Sequence, residues 1–437
     1  MSTQAVMFKD QNGQIQPMKS TGLTNTLLGN LAGNSITNAI NVEAIGQSAG
    51  AALTTGSNNV LIGQQAGQTI TTGTNNVFIG SQTANNCGSG ISFSCGVGDE
   101  VLQNATGAQN TAFGQSAGTS QTTANANTWC GYNTGALVLT GGNNTGVGAF
   151  ALTGLLGAPV SPASCTACGT NALGRVTGNN NSAFGTSAGS GVTSGNDNCY
   201  MGFNAGINNA TGAQNVGVGS SALANSTCSF AVAVGEAALI ASTGTQNVAI
   251  GTGAGQGQTS ASSNTWCGYT SGQGNLTGAQ NVGVGALSCT GALGLGTVSP
   301  GNCTACGYRA LANVTGNNNT TMGTTAGGSI TSGTDNTAVG QLAATTVTTG
   351  SFNCYIGSGA DGTAAGQGQI CLGAGAVATG NNQFFLGGLT AASRVGLSGT
   401  FTNGGGAAVT APGNFLPIFI DNGAGTRTQY KIPLFNP

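Results

Sequence analysis

The sequence predicts an all-β chain: a parallel β-solenoid, of the β-roll or β-helix kind, with about 22 coils of ~17 residues. Three observations carry that expectation. A short phrase ending in glycine recurs, with its glycines at 29, 46, 63, 80, 98, 114, 131, 148, 169, 185, 202, 219, 235, 251, 268, 285, 307, 323, 340, 357, 373 and 387, nearly all 16 to 18 residues apart. The residue before the glycine is apolar in all 22 copies, from Leu28 through Ile62, Cys130 and Val218 to Leu386, although only 39% of the chain is hydrophobic. Finally, 4% of residues are charged, 5% are aromatic and 80 of 437 are glycine. An ordinary globular core needs large aliphatic and aromatic side chains that this chain does not have.

Composition also removes whole classes. The glycines are not every third residue and proline totals 8, which excludes collagen. The strict period argues against low-complexity disorder. A net charge of −2 gives no electrostatic case for nucleic acid or an anionic membrane. The first 20 residues lack the apolar core of a signal peptide, and no apolar run reaches transmembrane length.

Taken in order, residues 1–24 read as an attachment or capping segment, with Lys9, Asp10 and Lys19 in it. Residues 25–387 are the repeat array. The pattern is plain in NNVLIGQQAGQTITTGTNNVFIGSQT, which ends at Thr83. The positions one and three before the glycine share a face, and the latter is often β-branched (Val60, Val77, Thr128, Val216, Val248, Thr337), as a strand prefers. The glycine ends the strand where φ > 0 or close approach is needed. Asn stands four before it in 15 units, from Asn25 to Asn353, and suits a corner because it tolerates the left-handed region. A second corner is expected at the glycine seven before the marker, as in Gly56, Gly73, Gly107, Gly212, Gly316 and Gly333. The position three after the marker is Ala in 16 units, so the coil is narrow there. Two short strands and two tight turns per coil follow.

The apolar residue before the glycine is expected to fill the coil. The residue two before it points the other way, and it too is almost never polar: Leu27, Ala44, Leu61, Phe78, Gly96, Trp129, Tyr200, Trp266 and Tyr355 are among its members, and Thr321 is the plain exception. That second face is expected to pack against other copies, in an intertwined or side-by-side homotrimer.

A longer period overlies the first. Residues 127–200 resemble 264–337, with TWCGY at Thr128 and Thr265 and CTACG at Cys165 and Cys303. The two oversized units carry loops at 157–164 and 296–302, candidates for surface decoration or a duplicated insertion. Residues 388–437 leave the pattern. Phe415–Asp421 and Thr426–Phe435 flank an Asn-Gly turn, which predicts a small β-hairpin cap or tip.

Chemistry is sparse. With no histidine, a Ser/His or Cys/His arrangement is impossible. Asp99 and Glu100 are the only adjacent carboxylates, and neighbours on a strand point apart. Cys165 with Cys168 and Cys303 with Cys306 have the spacing of metal half-sites, but residues three apart on a strand face opposite ways, and buried filler is the favoured reading. Cys87 with Cys95, or Cys289 with Cys303, could form disulfides, though thirteen cysteines cannot all pair within one chain. No catalytic, cofactor-binding or metal-binding residue is assigned.

The units NNVLIG, NNVFIG and NTAVG with a following Ala resemble the head repeat of trimeric autotransporter adhesins, and equally the NTAxG-type repeats of viral and phage fibre proteins. The resemblance spans about 25–387 and implies a parallel β-roll, three chains side by side, and attachment as the task. The units are longer than the compact adhesin repeat, and no signal peptide or C-terminal membrane barrel is seen, which favours the virion fibre. The expectation is a non-enzymatic structural fibre or spike of a virus particle for host attachment, at the virion surface or otherwise extracellular, without cofactor. Its partners would be itself, capsid or tail proteins, and a host surface glycan or protein, with no nucleic acid and no membrane insertion. The alternative is a self-assembling extracellular filament without a receptor.

Overall fold

A β-strand buried in a narrow tube must hand its backbone bonds to neighbours above and below, and the repeat length sets that spacing. The computed structural model describes residues 24–154, 161–291 and 300–387, together with the backbone of Phe8–Lys9, Ile15–Gln16, Phe415–Asp421 and Arg427–Pro433. Within the array, 22 strands run from Thr26–Leu28 to Phe384–Leu386, each of three or four residues. Each pairs in parallel with the next in sequence, and the repeat columns stay in register throughout: Leu61 faces Phe78, Trp129 faces Gly146, Cys371 faces Phe385. The ladder is open, with Thr26–Leu28 paired only forward and Phe384–Leu386 only backward among the described residues. At about 4.8 Å per step the rod is roughly 100 Å long. The expected all-β parallel solenoid is therefore what the chain forms.

Each coil has one strand, not the two expected. Beyond the marker glycine the chain alternates into the left-handed region, as at Gln65 (φ 58°) and Gly67 (φ 60°), and this turning path forms the next side of the coil without strand geometry. The marker glycines themselves, apart from Gly387, hold φ between 105° and 139°. A Cβ on Gly63 would also lie 2.2 Å from the carbonyl oxygen of Gly80 in the next coil, so no larger residue fits the stack. The glycine seven before the marker is kept for approach alone: a Cβ on Gly56 would meet the Gly73 oxygen at 2.1 Å.

The two faces of the strand are the reverse of the sequence expectation. The column two before the glycine lies inside the tube and is fully buried from Leu27 to Cys371, with Phe385 half-buried at the end. The all-apolar column one before the glycine lies outside, and none of its members is buried. Filling explains the choice. A narrow tube takes mostly Ala and Gly, and a large ring only where the next coil yields space. Phe78 is followed by Gly96, Trp129 by Gly146, Tyr200 by Gly217 and Trp266 by Gly283, and a Cβ on Gly146 would sit 2.9 Å from the Trp129 ring. The indoles are also anchored: Trp129 and Trp266 donate to the Gln121 and Gln258 side-chain oxygens at 2.8 and 2.9 Å.

The asparagines four before the marker are likewise inside, where a left-handed corner was expected. The left-handed residue is the one before them, such as Asn58 (φ 60°) and Asp197 (φ 59°). The buried amides stack into a ladder. Asn198 donates its side-chain N–H to the Asn181 amide oxygen at 3.0 Å and to the Gly212 carbonyl at 2.9 Å. Its own oxygen accepts the main-chain and side-chain N–H of Asn215 at 3.0 and 3.1 Å. A buried amide is tolerable because its groups are satisfied in this way. From Ser94 onward every fourth rung is something else, namely Ser94, Cys165, Ala231, Cys303 and Gln369, so the rod carries a four-coil period within its eight-coil one.

Phe8–Lys9 and Ile15–Gln16 pair antiparallel, as do Phe415–Asp421 and Arg427–Pro433, the predicted hairpin. Of the two long loops expected at 157–164 and 296–302, residues 157–160 and 296–299 lie outside the described residues.

Candidate interaction surface

The outward face of the single sheet is built from two columns. The inner residue of each strand is locked in the tube, so its neighbours on either side must point outward. One outer column is the apolar series from Leu28 to Leu386; Phe113, Val147, Phe184, Met201, Ile250, Val284, Met322 and Ile356 in it are well exposed. The other, three before the glycine, is Thr, Val, Cys, Ser, Ile or Phe apart from Glu43. Over 22 strands the face carries one charge. Its extent is roughly 100 Å by about 10 Å, on the order of 1000 Å². A stable interface covers about 800 Å² on each partner, and this face reaches that extent, with one column wholly apolar and the other nearly half Thr or Ser.

All thirteen thiols are free, and the strand sorts them. Cys95, Cys130, Cys168, Cys199, Cys267, Cys306 and Cys354 are on the outer columns, and the other six are buried. Cys165 and Cys168 therefore point to opposite sides of the strand region, as do Cys303 and Cys306. The inner two serve as rungs of the amide ladder: the Cys165 sulfur accepts the Asn181 main-chain N–H, and the Cys303 sulfur that of Asn319, each at 3.5 Å. Burial pushes the Cys87 thiol up to about 12 and those of Cys228 and Cys371 up to about 11. It raises Cys289 well above its ordinary value, with nearby Cys303 adding to the shift.

The carboxylates are dispersed. Asp99 is exposed and Glu100 half-buried in the turn beyond Gly98. Asp197 and Asp335 accept from the amides of Asn180 and Asn318 one coil away, at 2.9 and 3.0 Å. Asp361 is buried and accepts from the Thr345 hydroxyl and the Thr346 main chain, both at 3.0 Å. Among the described residues no group of three or more His, Cys, Asp or Glu side chains is placed to hold a metal ion.

Two grooves open on the turns beyond the strand, which the repeat pattern did not single out. One is lined by Asn133, Leu137, Phe150, Asn171 and Arg175, the other by Glu236, Thr252, Gln256, Tyr269, Thr270 and Gln273. Both are assembled from side chains of successive coils, so no local motif announces them.

Fold and surface together define the class: a β-solenoid repeat protein with an apolar flank. No known family model matches the chain, and no curated protein matches it in sequence.

Proposed function

We propose that the protein is a structural fibre of a virus particle, a homotrimer whose rods meet along the outward sheet face, serving host attachment without catalysis. The observation that carries the assembly is the outer apolar face, continuous over 22 strands with Glu43 as its one charge. A second copy presents the same columns at the same axial spacing, so the face is complementary to itself along its full length. The particle and the attachment role rest on the resemblance of the repeats to viral fibre and adhesin-head repeats.

The test is native mass spectrometry of the purified protein with thiol alkylation. The expected species has three times the 42.0 kDa chain mass, with Cys130, Cys168 and Cys267 protected until denaturation although each is exposed in the single chain. A monomer in which these three react at once overturns the proposal. Micrographs showing discrete rods with a free tip support the fibre. Continuous head-to-tail filaments favour the alternative, a self-assembling filament without a receptor, which the same face would also serve.

A further inference from the structure

We infer that the groove between Glu236 and Gln273 is a binding site for a neutral saccharide. The groove encloses about 350 Å³, within the range of small-ligand sites. It exists because the column two after the marker steps down to Gly253, leaving open the space that a side chain would take. A Cβ there would meet the Thr270 methyl at 3.1 Å and the Gln256 side-chain oxygen at 3.3 Å, so both face that space.

The lining combines the groups that recognise a sugar ring. Tyr269 is 59% exposed and offers an amphipathic ring for the apolar face of a pyranose. Around it stand a carboxylate (Glu236), two amides (Gln256 and Gln273) and the Thr252 hydroxyl, donors and acceptors suited to vicinal hydroxyls. The Gln273 side chain donates to the Gln256 oxygen at 3.1 Å, which fixes both amides. Thr270 also lines the groove. It is only 8% exposed, yet its hydroxyl has no hydrogen-bond partner. The methyl lines the open space while the hydroxyl is sealed from solvent, so Thr270 contributes an apolar wall. The single carboxylate, with no cation among the lining residues, excludes an anionic sugar.

The duplicated block offers an internal comparison. Tyr132 matches Tyr269 and Asp99 matches Glu236, both at an offset of 137 residues. There, however, Ser116 replaces Gly253, and Phe150 packs edge-on against Tyr132 with ring centres 5.2 Å apart. The acid and the tyrosine are retained in that block, while the open space and the free ring face belong to the second.

This inference deepens the attachment reading by naming its ligand class. Its test is saturation-transfer NMR on the native protein with methyl glycosides of glucose, galactose, mannose and N-acetylglucosamine, with tetramethylammonium and sialyllactose alongside. At least one neutral glycoside is expected to bind, with affinity falling about ten-fold or more in Tyr269→Ala and in Glu236→Gln, and not at all in Tyr132→Ala. Tyr269→Phe should retain binding, which separates ring stacking from a folding defect. Absence of binding by every neutral glycoside overturns the site. So does binding indifferent to Tyr269→Ala, or binding of the cation or the anionic sugar alone. A filament without a receptor could still show the groove's sugar binding, and a sugar-blind trimer would leave the fibre standing, so the two failures are distinguishable.

Discussion

Leu61 and Ile62 are neighbours on one strand with opposite fates: Leu61 is fully buried in the tube, and Ile62 stands on the outer face. The contrast holds along the rod. The inner column is mixed, with Ala, Gly, Trp and Tyr side by side, because each coil must fill what its neighbour leaves. The outer column is uniformly apolar, as the proposed assembly with copies of the same period would require of every coil. Irregularity thus marks the core, and uniformity marks the outer face that the proposal assigns to assembly.

The largest test of that contrast is Leu61→Asp. A carboxylate in a dry tube without a partner should cost about 4 kcal/mol or more, read as a collapse of the melting temperature; a mild effect would deny that the inner column is sealed. Trp129→Ala should follow at about 3–5 kcal/mol, because Gly135 and Gly146 both closed up to fit that ring and cannot refill the void. Asn198→Ala, which removes the acceptor of the Asn215 main-chain N–H and leaves the Asn181 oxygen only the main-chain N–H of residue 198, should cost about 1–3 kcal/mol by urea denaturation. Asn198→Cys should cost less, since sulfur already serves as a rung at Cys165 and Cys303.

A pH titration probes the buried thiols against the exposed ones. In the folded chain burial holds Cys87 neutral up to about 12 and Cys228 up to about 11, against an ordinary value of 9.0. Below pH 9 both states are protonated and the stability is intact. Above it the unfolded chain ionises first, so the urea midpoint should fall steadily from pH 9 towards 11. Replacing Cys87 and Cys228 by Ala should flatten that slope. The smallest effect belongs to Ile62→Thr, within about 0.5 kcal/mol for an isolated rod. A loss that grows as the protein is diluted would instead show that this face is covered by another copy.

Much of the fold was legible because the repeat is written in glycine. Only glycine meets both the φ and the stacking demand at Gly63, so the period survives on the page. The assignment of faces was not legible. An apolar column suggests an interior, but apolar residues occupy surfaces as well, and the telling signal was the pairing of four inner aromatics, Phe78, Trp129, Tyr200 and Trp266, with a glycine one coil on. The Asn ladder was missed for a similar reason. Asn is a good corner residue, and its burial depends on an identical amide 17 residues away, which local propensity does not weigh. The groove at Tyr269 was not legible either, because Gly253 opens it only in combination with Glu236 and Tyr269 on the coils before and after, and the same column has glycine at Gly359 and Gly375 as well.

The amide ladder also determines how such a rod would carry a load. Its bonds, like those of the sheet, run along the axis, whereas the covalent chain winds around it. A pull on the two ends is therefore resisted by one layer of hydrogen bonds after another in series, and the weakest layer yields first. Each coil that peels away lengthens the chain by roughly 55 Å while giving up about 5 Å of rod. Tension would be relieved in steps, and the rungs without an asparagine, such as Ala231, mark where the first steps should fall.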